Sequence, residues 1–142
     1  MSSLARKQSK QIKSFRDLYV WQKASKLSRD IVKELVPLFP PEKKYPLTDQ
    51  IIHSSRSVPA QIAEGFRKSS LKEKHLYYER ASTSNNETEN HLIEALNNDY
   101  IDEKIYKKYL RRVIKIRIML SRLKKSIRNW ESALKAQSRS LK

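Results

Sequence analysis

The chain has 142 residues, with 31 Lys and Arg against 15 Asp and Glu, and a formal net charge of +16. That length accommodates one domain with one core, and its single glycine, Gly65, excludes folds that need glycine in hairpins, bulges or phosphate-cradling βα loops. With no cysteine, disulfides, thiol chemistry and Cys-based zinc sites are excluded as well, and an all-α fold is expected.

Residues 1–14 carry Arg6, Lys7, Lys10 and Lys13 with no acid, and read as a flexible basic arm. The first helix is expected from about Asp17 to Val36. Its stripe of Leu18, Trp21, Ala24, Ser28, Ile31, Leu35 and Leu38 advances by three or four residues at a time. Pro37, Pro40, Pro41 and Pro46 then enforce a loop, because proline lacks an N–H and has a fixed φ. Thr48 is the expected N-cap of a second helix over about 49–66, with Leu47, Ile51, Ser55, Val58, Ile62 and Phe66 as its stripe. Pro59 within it predicts a kink or a split, and Gly65 stands where a left-handed residue commonly ends a helix.

Ser69 or Ser70 is expected to cap a third helix reaching about Asn98, with Leu71, Lys74, Tyr78, Ala81, Asn85, Thr88, Leu92 and Ala95 along one face. The middle of that face is polar. The fourth helix has the strongest pattern: Tyr106, Tyr109, Val113, Ile116, Leu120, Leu123, Ile127, Trp130 and Leu134 alternate steps of three and four, as in a packing seam. Four helices with short connections predict an antiparallel four-helix bundle over residues 15–134. Residues 135–142 read as a frayed basic tail.

Half of the net charge lies on the fourth helix, where residues 102–132 carry +8. Lys104, Lys108, Arg111, Lys115, Ile118, Arg122, Lys125 and Asn129 repeat the rhythm of the seam two residues later. At 100° per residue that offset is about 200°, so the basic row is expected on the side opposite the seam. It spans roughly 32 Å from Lys104 to Lys125, about one turn of duplex. A solvated outer helix face ordinarily mixes signs; here no acid occurs between Lys104 and Asn129. Polyanions are the expected partners, nucleic acid first.

Catalytic motifs are missing. The sequence has no phosphate-binding G-x-x-x-x-G-K-[ST] loop, nucleophile elbow or H-E-x-x-H. Glu87, His91 and Glu94 share a face, but a di-metal bundle needs two Glu-x-x-His pairs and the chain has none. Ser54, Ser55 and Ser57 beside His53 lack an oriented third group. No enzyme activity, cofactor or metal is expected. Tyr77, Tyr78, Tyr106 and Tyr109 are candidates for base stacking, but Tyr78, Tyr106 and Tyr109 fall on seams and read as core first, and Trp21 and Trp130 read as core or subunit-interface anchors. Ile114, Ile118 and Met119 lie off the main seam and point to a second contact surface. Neither an apolar leader segment nor a run of about 18 apolar residues is present, so the expectation is a cytoplasmic protein with no membrane partner.

Several segments taken together carry a resemblance. SFRDLYVWQKASKL (Ser14–Leu27), FPPEKKYPLTDQI (Phe39–Ile51) and SVPAQIAEGFRKSS (Ser57–Ser70) follow in order, and ETENHLIEAL (Glu87–Leu96) fits an E-x-E-x-x-L-x-x-A-L pattern. Tyr100 and Ile101 fit the positions just before the last helix. The chain resembles the four-helix-bundle proteins encoded in 23S rRNA intervening sequences, over about Ser14 to Leu123. It departs from their pattern at Ser82, Thr83, Asn85 and Thr88, and at Asp99 where glycine is usual. The resemblance implies a ring-shaped homo-oligomer, a pentamer. It also implies kinship with the accessory variability proteins of diversity-generating retroelements, which bind nucleic acid and a reverse transcriptase.

These readings combine into a non-catalytic bundle that binds structured RNA or an RNA–DNA hybrid, RNA before DNA. Phosphate contacts are expected from Lys104, Lys108, Arg111, Arg112, Lys115, Arg122 and Lys125. The alternative is an accessory subunit of a retroelement that also docks on a reverse transcriptase.

Overall fold

The computed structural model describes residues 12–41 and 46–140; the basic arm expected over 1–14 lies outside them except at 12–14. The described chain opens on a reciprocal cap. Ser14 Oγ accepts the Arg16 N–H at 3.2 Å, and Asp17 Oδ2 accepts the Ser14 N–H at 3.0 Å, around one 3-10 turn, Phe15–Asp17. Helix α1 (Tyr19–Asp30) follows, widens into a π turn (Ile31–Leu35) and tightens into a 3-10 turn (Val36–Leu38) as the prolines approach. Then come α2 (Leu47–Arg67), α3 (Leu71–Asn97) and α4 (Glu103–Ser140). The described residues form four helices and no strand, and no helix among them is long and apolar enough to cross a membrane.

Each helix packs on two others: α1 on α2 and α4, and α3 on α2 and α4. Neighbours run antiparallel, as paired residues show. Ser54 meets Thr88 and Ser57 meets Ser84 between α2 and α3; Glu79 meets Lys124 and Glu89 meets Arg117 between α3 and α4; Asp30 meets Arg112 between α1 and α4. The core contains Ala24, Leu27, Ile31 and Leu35 from α1 and its π turn, and Ile51, Val58 and Ile62 from α2. Tyr78, Ala81, Leu92 and Ala95 of α3 meet Tyr109, Val113, Ile116 and Leu120 of α4 there.

The polar middle of α3 lies inside. Ser84, Asn85 and Thr88 are buried, and each is bonded across or along the packing. Thr88 Oγ1 and Ser54 Oγ lie 2.8 Å apart, Ser84 Oγ donates to Ser57 Oγ at 2.8 Å, and Asn85 Nδ2 donates to the Val113 carbonyl at 3.0 Å. A buried hydroxyl or amide costs little when it keeps such partners and about 1–3 kcal/mol when it does not. Three successive polar residues on one face therefore fix α2, α3 and α4 in one register.

Four expectations about helix ends are corrected. Thr48 is no N-cap: α2 starts at Leu47, two residues before the expected 49, behind Pro46, whose missing N–H costs nothing at a helix start, and Thr48 Oγ1 is buried without a hydrogen-bond partner among the described residues. Pro59 does not split α2, which runs unbroken through it. Gly65 does not end α2, has no positive φ, and is followed by further helix to Arg67. The tail beyond Leu134 continues as helix to Ser140. The left-handed residue is instead Asp99, at φ 59°, where Tyr100 N–H reaches back to the Ala95 carbonyl at 2.8 Å and Asp99 N–H to Leu96 at 3.0 Å.

Gly65 has a packing reason. A Cβ there would lie 2.7 Å from Tyr78 Cε1 and 3.0 Å from Tyr77 Cβ, so glycine lets α3 approach α2 at their joining turn. The strain of an added methyl is about 1–3 kcal/mol, against about 1 kcal/mol gained in helix propensity. Gly65→Ala is expected to destabilise the fold by about 1 kcal/mol, measured by urea unfolding, whereas a helix-interior glycine with free space would be stabilised by the same change.

Candidate nucleic-acid interface

Asp102 starts α4 by accepting the Ile105 N–H at 2.8 Å on Oδ1. Tyr109, Val113, Ile116, Leu120 and Ile127 of the seam are buried and Tyr106 and Leu123 half-buried, as the three-four rhythm requires. Trp130 and Leu134 continue the seam by spacing but are 61% and 46% exposed. The cause is length. Arg112 lies opposite Asp30 at 2.8 Å and Arg128 opposite His75 at 3.4 Å, so the start of α1 at Tyr19 falls opposite about residue 123 and that of α3 at Leu71 opposite about residue 132; Trp130 lies past α1, and Leu134 past both.

The cations of α4 divide into two sets. Those on the flanks of the seam are paired with acids of adjoining helices. Arg112 meets Asp30 of α1 at 2.8 Å, Arg117 meets Glu89 of α3 at 2.7 Å, and Lys124 meets Glu79 of α3 at 2.8 Å. The hydrogen bond from Lys124 also holds the Glu79 carboxyl below the usual carboxylate range. The row opposite the seam differs. Lys104, Lys108, Arg111, Lys115, Arg122 and Lys125 are all exposed, and none forms an ion pair among the described residues. Arg111 Nε donates to the Lys107 carbonyl of its own helix at 3.2 Å, and the Lys108 ammonium lies 5.7 Å from the Tyr109 ring centroid. Ile118 interrupts the row as an exposed apolar residue.

Arg112 therefore stands apart from the other six expected contact residues. Its guanidinium is held between Asp30 and the Tyr109 ring, whose centroid is 5.7 Å away. Spacing alone signalled this, since Arg112 is one residue from the row and one from the seam. Lysines that the charge count did not single out, Lys23 and Lys26 of α1, line a groove with Arg112, Lys115 and Ile116 of α4. Acids elsewhere on α1 masked them in a segment total.

The remaining candidates have structural surroundings. Tyr78 is buried, and Tyr77 lies between Arg80 and Lys68, 4.8 and 5.0 Å from its ring centroid. Trp21 is half-buried and packs edge-on against Phe15 at 5.1 Å. Ser54 and Ser57 bond across to α3 and Ser55 to the Ile52 carbonyl, while His53 is exposed. Glu94 accepts from Asn90 at 3.0 Å and Glu87 is exposed. Among the described residues, no group of three His, Asp or Glu converges as metal ligands would. Burial lowers the Lys74 ammonium below its ordinary range; Nζ donates to the Phe66 and Gly65 carbonyls at 2.6 and 3.3 Å and so caps α2 rather than facing a partner.

Residues 16–122 match the model of the 23S rRNA-intervening sequence protein family. The chain belongs to that family. A crystal structure of a protein of unknown function from the S23 ribosomal protein family of Bacteroides thetaiotaomicron has a similar fold. The TM-score is 0.70 at 24% identity, covering 75% of this chain and 98% of that one. No curated protein matches the chain. The stretch of α4 beyond residue 122, with Lys125 and Trp130, lies outside the family match; the row from Lys104 to Arg122 lies within it.

Two tyrosines report on the packing beneath the interface. Burial pushes the Tyr78 and Tyr109 hydroxyls up to about 12 from an ordinary 10.0, and the Glu34 carboxylate, accepting from Tyr109 at 3.3 Å, adds to the second shift. A folded pKa above the unfolded one favours the folded state fully below pH 10, and that contribution is lost as pH rises through about 12. Ultraviolet titration is expected to show Tyr78 and Tyr109 ionising late, near 12. Tyr109→Phe should remove one of them and make the stability less dependent on pH over that interval.

Proposed function

We propose that this protein binds structured RNA, or an RNA–DNA hybrid, through the phosphate backbone, using the outer row of α4 and no catalytic step. The observation that carries the reading is the division of cations on α4. Flank cations are neutralised by Asp30, Glu79 and Glu89, whereas Lys104, Lys108, Arg111, Lys115, Arg122 and Lys125 keep their charge in solvent. One helix carries them over roughly 32 Å, and contacts of this kind go to phosphates rather than to any one base pattern. Membership of a family named for an rRNA intervening sequence supports RNA as the polymer. Binding that neutralises about 6–10 phosphates should weaken about 10³–10⁵-fold between 50 and 200 mM salt. Fluorescence anisotropy with a hairpin RNA is expected to show that slope, and to show it lost in Lys108→Glu, Arg111→Glu, Lys115→Glu, Arg122→Glu protein that remains helical by circular dichroism. A flat salt response in the wild type contradicts the reading.

A second observation favours self-association. Trp130 and Leu134 extend the seam past its partners as exposed apolar groups, and Leu76 of α3, 48% exposed, lies at the same end beside His75. A copy of the chain would cover them, and the resemblance described above implies a ring of five. Each ring would repeat the basic row and raise affinity through avidity. Sedimentation velocity is expected to show a multimer that falls to monomer in Trp130→Glu, Leu134→Glu protein; unchanged mass in that variant places the contact elsewhere.

A further inference from the structure

We propose that the groove between α1 and α4 is a phosphate seat, formed by Lys23 and Lys26 of α1 with Lys115 of α4, and that it takes one phosphodiester group of the bound nucleic acid. The inference rests on the polyanion reading of α4 and extends it to a second helix. Lys23, Lys26, Arg112, Lys115 and Ile116 line one concavity, four of the five being cations. Lys115 belongs to the outer row, so the groove opens directly from the line of charge.

The acids of α1 do not cancel this charge. Asp17 accepts the Lys13 and Ser14 N–H groups at the capping turn, at 2.9 and 3.0 Å. Asp30 holds Arg112 at 2.8 Å, and Glu34 accepts from the Tyr109 hydroxyl at 3.3 Å. Lys23, Lys26 and Lys115 form no ion pair among the described residues. The Lys23 ammonium lies 5.1 Å from the Tyr19 ring centroid, which limits its freedom on the α1 side. Arg112, fixed by Asp30, is a positioned wall of the groove, whereas the three lysines are free to close on an oxyanion. Like charges gathered in a concave site repel one another, so a dianion or a backbone phosphate entering there relieves repulsion as well as gaining contacts. The ligand class is thus a tetrahedral phosphate oxyanion, on a chain that continues along α4.

The test uses the full chain, Lys23→Gln, Lys26→Gln protein, and protein carrying Gln at Lys104, Lys108, Arg111, Arg122 and Lys125. Two probes are applied: inorganic pyrophosphate, followed by amide NMR shifts, and a hairpin RNA, followed by anisotropy over a salt series. Pyrophosphate is expected to give saturable shifts centred on residues 23–26 and 112–116, lost in the two-lysine variant and kept in the outer-row variant. The RNA salt slope of the two-lysine variant is expected to fall by about 1, the change for one phosphate contact removed. Pyrophosphate shifts that are diffuse and unsaturable in the wild type overturn the seat, as does a two-lysine variant equal to wild type with both probes. Saturable pyrophosphate binding in a protein that binds no RNA overturns the nucleic-acid reading alone and leaves the groove as a site for small phosphate anions.

Discussion

The ion pairs on the two flanks of α4 decide both how this helix is held and what it presents. Asp30 from α1 takes Arg112 on one flank, and Glu79 and Glu89 from α3 take Lys124 and Arg117 on the other. Individually such half-exposed pairs are worth about 0–1 kcal/mol. Their consequence is orientation. With both flanks matched in charge, rotating α4 about its axis would bring unpaired lysines against apolar neighbours and expose the seam. The rotation set by Val113, Ile116 and Leu120 in the core is the one that these pairs accept. The acids of α1 and α3 are thereby committed, and the opposite row of α4 is left without counter-charges.

The same economy of polar groups governs the interior. Thr88, Ser84 and Asn85 occupy core positions on α3 where apolar residues would be ordinary, and each has a partner on α2, α4 or its own helix. Hydrophobic burial alone tolerates small slips along a helix, since one methyl group resembles another. Hydroxyl pairs at 2.8 Å do not. Gly65 adds a steric constraint at the α2–α3 turn, where Tyr78 sits against the glycine.

Net charge enters as an opposing term. Sixteen excess positive charges on 142 residues favour expansion of the chain. They concentrate on an outer row and on the terminal turns of α4 rather than in the core, where solvent and salt screen them. Any polyanion that neutralises the row therefore relieves an internal repulsion.

Much of this was legible in the chain itself. Helix content, the loop at the prolines, the buried face of α3 despite its polar middle, and the exposed basic row of α4 all follow from periodicity, because a helix turns by a fixed angle per residue and places every third or fourth side chain on one side. What periodicity could not supply was the identity of each neighbour. Arg112, placed on a flank by its spacing, finds Asp30 there, Lys74 becomes a cap of α2, and Gly65 serves close packing rather than a helix end. Thr48 lost its capping role because Pro46 starts the helix first. Trp130 and Leu134 keep the rhythm of a core yet lie in solvent, because where α1 and α3 begin, rather than the sequence of α4, determines where the core stops. The sequence by itself determined which sides of each helix are apolar or charged, since that depends only on local geometry. Which charges are cancelled, and which remain for a partner, was decided by tertiary structure, since a charge is cancelled only by an opposite one brought close through folding.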